Sequence, residues 1–423
     1  MKLRAIGYWI AYAVLLLAAT VAGLEFLSSF VAPTWPAREL RPVEVPLSQP
    51  SSASNAPNPR LTYNSWLMRD WERTVAKPST VDFRTVLIGD SFLEGGFVSR
   101  PLPAQVEEYW PKTSRPGSFE AINLGVSATD PNNYYYRIKN VALALQPDAM
   151  VVVFYSGNDF VHTGHSPWVP PPFLAERPLP SWLGMVAPRL TWLTVNRLRT
   201  SQFGRRSNES EFEDVNRVLT EPLDRRYDAL ARFMKRNYFP NDDVVQIRRV
   251  FERGGDKFWE AFEKREHDQE HLQGWWVAGL YGWETQMNLP ATITDKEIQR
   301  SIDPEQFKAT LSWLTGARDL ARQNNMKFMV AMAPAAGGDP AYVEFWKPWP
   351  RYRAFQIQRE AWHRAFRPLI EGAGIQVVDL AEDLRGVSGT YRLSDAHWTE
   401  LGTSLAAKRI ASELVKLRDS ARR

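Results

Sequence analysis

The chain alternates short apolar runs with longer amphipathic ones. Thr85–Ile88, Phe119–Leu124 and Ala149–Tyr155 are apolar stretches of strand length, and Lys327–Ala333 and Ile375–Leu380 repeat the pattern towards the C-terminus. Ala149–Tyr155 is apolar at nearly every position, as expected of a strand covered on both faces. Segments of helical period lie between these strands. Asp130-Pro131 reads as an N-cap with a first-turn proline and predicts a helix to about Leu145. Asp303-Pro304 opens another, with Phe307, Leu311, Leu314 and Ala321 on one side. A last helix from about Thr399 aligns Ala406, Ile410, Leu414 and Leu417. Strands alternating with amphipathic helices predict an α/β fold, three-layered α/β/α around a parallel five-stranded sheet. Sites in such sheets form beyond the carboxyl ends of the strands, which directs attention to the polar residues just after each strand.

Three regions depart from this alternation. Lys2 and Arg4 precede an uncharged run of 20 residues, Ala5–Leu24, which as a helix spans roughly the 30 Å hydrocarbon layer of a bilayer. The apolar character resumes at Phe26–Ala32. Residues 1–32 are therefore expected to form a transmembrane anchor, with the rest of the chain outside; a cleaved signal peptide, for which Ala18, Ala19 and Ala22 supply small residues, is the rival. Residues 33–60 contain seven prolines among polar and charged residues and read as an extended linker. Leu61–Pro78, with Trp66, Leu67 and Trp71 among charged neighbours, is expected to lie against the domain as a short helix. The core domain then occupies 61–160 and 301–423. An insertion over 161–300, opening with a proline-rich loop, predicts charged helices around Glu211–Arg236 and Val244–Glu270. It reads as a mostly helical cap beside the mouth of the cleft.

Charge and composition narrow the chemistry. Lys plus Arg is 52 against 48 for Asp plus Glu, without long like-charged blocks, which argues against nucleic acid as a partner. Cysteine is absent, which excludes thiol nucleophiles, disulfides and Cys-ligated zinc. Catalysis must rest on Ser, His, acids or a His/Asp-bound metal. Asp159, His162 and His165 are a loose metal-ligand set, and no cofactor motif such as G-x-G-x-x-G or a Walker loop is present, so no cofactor is expected. Seven of the 17 tryptophans fall in the insertion, where they either build a small core or stack on sugar rings. Paired arginines at 205, 206, 225 and 226 read as solvated helix faces.

Gly89-Asp90-Ser91 follows the first strand, a placement that lifts a serine hydroxyl to the top of the sheet and leaves its backbone N–H pointing outwards. The plainer reading is that Asp90 caps the next helix. Ser91 needs a base, and His397, just ahead of the last helix and two residues after Asp395, is the candidate. Asp395 is then placed to orient the imidazole, with Asp379 and Asp383 as alternative acids. Acyl transfer also needs donors for a developing oxyanion, and the backbone N–H groups of Ser91 and Gly125 with the amide of Asn158 are the candidate set.

These blocks resemble the SGNH (GDSL) hydrolase superfamily, whose fold is flavodoxin-like. VLIGDSFLEG is similar to its first block, NLG at Gly125 to its second, Gly157-Asn158-Asp159 to its third and Asp395-Ala396-His397-Trp398 to its last. The resemblance covers about residues 83–160 and 325–415. It departs from the family in lacking a residue between Gly157 and Asn158 and in separating acid from histidine by one residue rather than two. The D-x-H-W form is similar to that of SGNH-like proteins involved in acetylation of bacterial exopolysaccharides. The resemblance implies a serine esterase acting on O-acyl, foremost O-acetyl, esters of glycans outside the cytoplasm of a bacterium, held at the inner membrane with its catalytic domain in the periplasm. A glycan O-acyltransferase using the same triad, a non-catalytic glycan-binding or assembly protein and a lipid esterase are the alternatives.

Overall fold

The computed structural model describes residues 2–28, 68–71, 73–95, 98–111, 118–127, 129–161, 217–263, 274–285, 293–393 and 396–422. Five parallel strands form one sheet: β1 (Phe83–Gly89), β2 (Phe119–Gly125), β3 (Ala149–Tyr155), β4 (Lys327–Ala333) and β5 (Gln376–Asp379), in the spatial order β2-β1-β3-β4-β5. This is the flavodoxin-like order, with its switch between β1 and β3. The register pairs Gly89 with Gly125 and Tyr155 with Ala333, so the carboxyl ends of four strands finish at one edge.

Side-chain alternation divides the core into two layers. Leu87, Ala121, Val151, Val153, Met329 and Ala331 face one side; Val86, Ile88, Ile122, Met150, Val152 and Val330 face the other. On the second side lie three helices, Pro131–Asn140, Pro304–Gln323 and Pro350–Gly372. The first side is covered by Leu102–Tyr109, by the C-terminal helix Glu400–Arg422 and by the inserted helices. Caps expected from the sequence form. The Asp130 side chain accepts from Asn132 N–H within a capping box, and Asp303 accepts from Glu305 and Gln306.

In chain order the helices are α1 (Lys2–Ser28), α2 (Ser91–Glu94), α3 (Leu102–Tyr109), α4 (Pro131–Asn140), α5 (Leu223–Asn237), α6 (Val244–Glu252), α7 (Gly255–Glu263), α8 (Gly274–Thr285), α9 (Asp295–Ser301), α10 (Pro304–Gln323), α11 (Pro340–Phe345), α12 (Pro350–Gly372), α13 (Ala381–Leu384) and α14 (Glu400–Arg422). Three expectations change. The helix expected to run to Leu145 stops at Asn140 and continues as a separate 3₁₀ turn, Ala142–Leu145. The charged stretch from Val244 breaks at Gly254, and Gly255 adopts φ +54, a conformation that glycine accepts readily. The described part of Leu61–Pro78 is not a helix; it is pinned by side chains, with Arg73 paired to both Asp70 and Glu107 at 2.9 and 2.8 Å.

Helix α1 forms over 27 residues, and Tyr8, Trp9, Leu15, Leu16, Leu17 and Phe26 on it are exposed. Among the described residues no helix is long and apolar enough to cross a membrane. The proline-rich linker, the start of the insertion and His162 and His165 lie outside the described residues. The described part of the insertion is helical, and its aromatic residues serve as a core: Trp259 is buried against Phe258 and Tyr227, and Trp283 stacks on Phe355.

Candidate active site

Strand β1 ends at Gly89, and the chain turns directly into α2. Asp90 caps that helix by accepting from Phe92 N–H at 2.9 Å, which fixes Ser91 as its first residue. The plain reading of Asp90 is therefore correct, and it is also what presents the serine. Ser91 is half-buried, and no acceptor pairs with its backbone N–H among the described residues, as for other first-turn amides of a helix.

His397 arrives from a narrow loop whose two sides are tied together. Tyr391 and Trp398 form an antiparallel bridge, and Arg392 N–H donates to the His397 carbonyl at 2.7 Å. Inside it Ala396 takes φ +60, which an L-residue adopts at a cost of roughly 1–2 kcal/mol. The loop is anchored from behind by buried Asp339, which accepts from Gly389 N–H, Thr390 Oγ1 and Tyr391 N–H. His397 Nε2 consequently lies 2.8 Å from Ser91 Oγ. Phe92 keeps the ring in place, stacking on the imidazole at 4.9 Å while Trp398 meets Phe92 edge-on at 5.0 Å. The sequence reading of Ser91 and His397 thus places two groups 306 positions apart within a hydrogen bond.

The oxyanion candidates divide. The exposed Asn158 sits in a tight turn after β3, where Asn158 N–H and Asp159 N–H both return to the Tyr155 carbonyl. Gly157 is required there, because a Cβ would lie 2.3 Å from the Tyr155 ring. The Asn158 side chain is close enough to the Asp90 carboxylate to draw its pKa down, on the same edge of the sheet as Ser91. Gly125 is a correction. Its N–H donates to Asn123 Oδ1 at 2.8 Å and is already committed, and its lack of a side chain serves the backbone of Glu94, which a Cβ would approach to 2.3 Å.

Asp395 lies outside the described residues. The two alternative acids are engaged elsewhere: Asp379 accepts from His363 at 2.9 Å and Arg367 at 2.6 Å, and Asp383 faces Arg409. Of the metal-ligand set only Asp159 is described, and it is buried with Oδ2 accepting from Tyr134 OH and Tyr155 N–H. Among the described residues no cluster of metal-ligating side chains occurs.

Burial raises the pKa of both Asp90 and Asp159 above the usual carboxylate range. For Asp90 the hydrogen bond from Phe92, the nearby His397 and the Asn158 amide pull the other way; for Asp159 the proximity of Asp90 adds to the rise. Arg137 of α4 is a residue that sequence reasoning missed. Buried beneath the sheet edge, its Nη1 donates to the carbonyls of Gly89 at 3.1 Å and Leu124 at 3.0 Å, tying together the ends of β1 and β2. Burial lowers its pKa to about 10, which leaves it charged at neutral pH. The signal was present in the sequence: Tyr134, Arg137 and Ile138 share one helical face, and an arginine on an otherwise core-facing stripe needs a reason.

No protein-family model and no curated protein matches the chain. Among solved structures it is similar to an acetyl xylan esterase, with 11% identity and a TM-score of 0.36 over 78% of this chain and 99% of that one. A protein described as lipolytic and of the G-D-S-L family from Desulfitobacterium hafniense has 11% identity and a TM-score of 0.34, over 78% and 98%. A GDSL-like lipase from Bacteroides thetaiotaomicron has 9% identity and a TM-score of 0.32, over 81% and 91%. The chemistry assigned to this chain rests on its own geometry: a serine and a histidine in hydrogen-bond contact at the carboxyl edge of a parallel sheet.

Proposed function

We propose that this protein is a serine ester hydrolase working through a Ser91 acyl-enzyme. The observation that carries the reading is the 2.8 Å contact between Ser91 Oγ and His397 Nε2. In this reading His397 takes the hydroxyl proton as Oγ attacks the ester carbonyl carbon. The carbonyl oxygen becomes negative and is met by the Ser91 backbone N–H and the Asn158 side-chain amide. Collapse breaks the ester C–O bond, and His397 returns the proton to the departing alcohol. Water, deprotonated by the same imidazole, then releases the acid and restores Ser91. Asp395 is assigned the task of orienting His397 in the catalytic tautomer.

The substrate class we assign is an O-acyl, foremost O-acetyl, ester of a glycan outside the cytoplasm. The D-x-H-W block at Asp395–Trp398 supports it through its likeness to polysaccharide-acetylation proteins. Attachment to the bacterial inner membrane through α1, with the domain in the periplasm, is part of the same proposal; it is supported by the exposed apolar residues of that helix and by the basic residues preceding them.

A fluorophosphonate probe tests the chemistry. Labelling of the full chain is expected, with none in Ser91→Ala and little in His397→Ala; an unlabelled wild type overturns the reading. Acetate released from acetylated polysaccharide supports the substrate class. Cleavage of long-chain esters alone moves it to lipids, and acetyl transfer to a second glycan without free acetate makes the protein an acyltransferase.

A further inference from the structure

A second serine and histidine are in hydrogen-bond contact, and the histidine meets an aspartate in turn. Ser156 Oγ lies 2.7 Å from His363 Nδ1, and His363 Nε2 lies 2.9 Å from Asp379 Oδ1. Asp379 also accepts from Arg367 Nη1 at 2.6 Å and from Ala381 N–H at 2.9 Å. The three come from the end of β3, the middle of α12 and the end of β5. We propose that Ser156, His363 and Asp379 form a positioning relay that fixes the Ser156–Gly157–Asn158 turn, and with it the amide that receives the oxyanion.

The array cannot itself work on a substrate. Ser156 and His363 are 0% exposed and Asp379 is 7% exposed, so no ester can approach the hydroxyl. Its polarity is also opposite to that of the Ser91 pair, since here serine meets Nδ1 and the carboxylate meets Nε2. Burial pushes the Asp379 carboxyl up, but the His363 hydrogen bond and charge, Ala381 N–H and Arg367 outweigh it and hold the group at about 2. An ionised Asp379 accepts the Nε2 hydrogen, and this fixes the ring so that Nδ1 faces the Ser156 hydroxyl. The hydroxyl is thereby held in one rotamer.

What this fixes is the turn. Ser156 N–H donates to the Ala333 carbonyl of β4 at 2.9 Å, and the N–H groups of Asn158 and Asp159 close onto the Tyr155 carbonyl. The Tyr155 ring, stacked on Phe92 at 3.9 Å, fills the space under Gly157. The turn is thus held from below by an aromatic ring and from behind by the relay, leaving Asn158 at its exposed tip. A buried ion pair adds little to stability compared with apolar packing, and its best-attested use is to specify one arrangement among several. Here the arrangement specified is that of a catalytic donor, which must be held to about 0.5 Å to be effective.

The inference rests on the ester-hydrolase reading, and its test separates the two. Two amides replace His363 in the full chain: His363→Asn puts an amide where Nδ1 lies and keeps the Ser156 contact, while His363→Gln puts it where Nε2 lies and keeps only Asp379. Steady-state hydrolysis of 4-nitrophenyl acetate and thermal melting are measured for both. The relay predicts that His363→Gln lowers kcat about tenfold with KM within about twofold, as for a mispositioned transition-state donor, and that His363→Asn recovers kcat to within about threefold of wild type. Equal kcat in both variants, whether unchanged or lowered in step with the melting temperature, overturns it. A wild type that neither hydrolyses the ester nor reacts with fluorophosphonate overturns the hydrolase reading and the inference together.

Discussion

Ser91 and Ser156 end neighbouring strands of the same sheet, β1 and β3, and each is hydrogen-bonded to a histidine delivered from far along the chain. The first pair is half-buried, its serine opens a helix, and its base approaches through Nε2 from a loop strained at Ala396. The second is sealed beneath α12, with its base turned round so that the carboxylate holds Nε2. On the proposed reading, the same serine–histidine contact serves reaction in one place and rigidity in the other. What separates them is access for a carbonyl, a backbone N–H left for the oxyanion and the direction in which the imidazole is read.

The largest test of this contrast is a pair of substitutions. Ser91→Ala is expected to lower kcat at least about 10³-fold and abolish fluorophosphonate labelling, whereas Ser156→Ala keeps the label on Ser91 and loses about tenfold in kcat. Loss of labelling in Ser156→Ala, mapped by mass spectrometry of the adduct, would make the buried serine the reactive one and break the comparison. Next in size is Asn158→Ala, expected to lower kcat about 10²-fold, as for removal of one oxyanion donor, with little change in KM; an effect confined to KM would assign Asn158 to substrate binding instead.

A smaller effect sharpens the structural side. Asp379 has its pKa lowered to about 2 in the folded protein against 3.8 for the free group, so its contribution to stability is present above about pH 4 and is lost as pH falls through 2. Asp379→Asn is expected to cost on the order of 1–3 kcal/mol at pH 7 in urea unfolding, with the gap to wild type narrowing below pH 4. A gap that stays constant down to pH 2 would show that the carboxylate charge contributes nothing. The smallest expected effect is that of Ala396→Gly. Glycine adopts the positive φ freely but loses more backbone entropy on folding, so kcat should change by less than about threefold in the same assay. A tenfold fall would mean that the alanine methyl group itself positions His397.

The sequence by itself determined the layers and the position of Ser91. Apolar runs and Asp-Pro caps are local signals, and they located five strands, the starts of α4, α10 and α14 and Ser91 after β1. His397 was legible because Asp395 and Trp398 form a recognisable block around it. Tertiary structure alone decided the rest. Gly125 looked like a donor until the Asn123 side chain was seen to occupy its N–H, and α12, which carries His363, lacked a recognisable capping signal at Trp349-Pro350. Ser156 and His363 are 207 positions apart and lie in no motif, so only the packing of α12 across β3 and β5 reveals that they meet. Helix caps and strand patterns are written within a few residues of one another. Which hydrogen bond a buried group makes depends on segments that become neighbours only when the sheet is assembled.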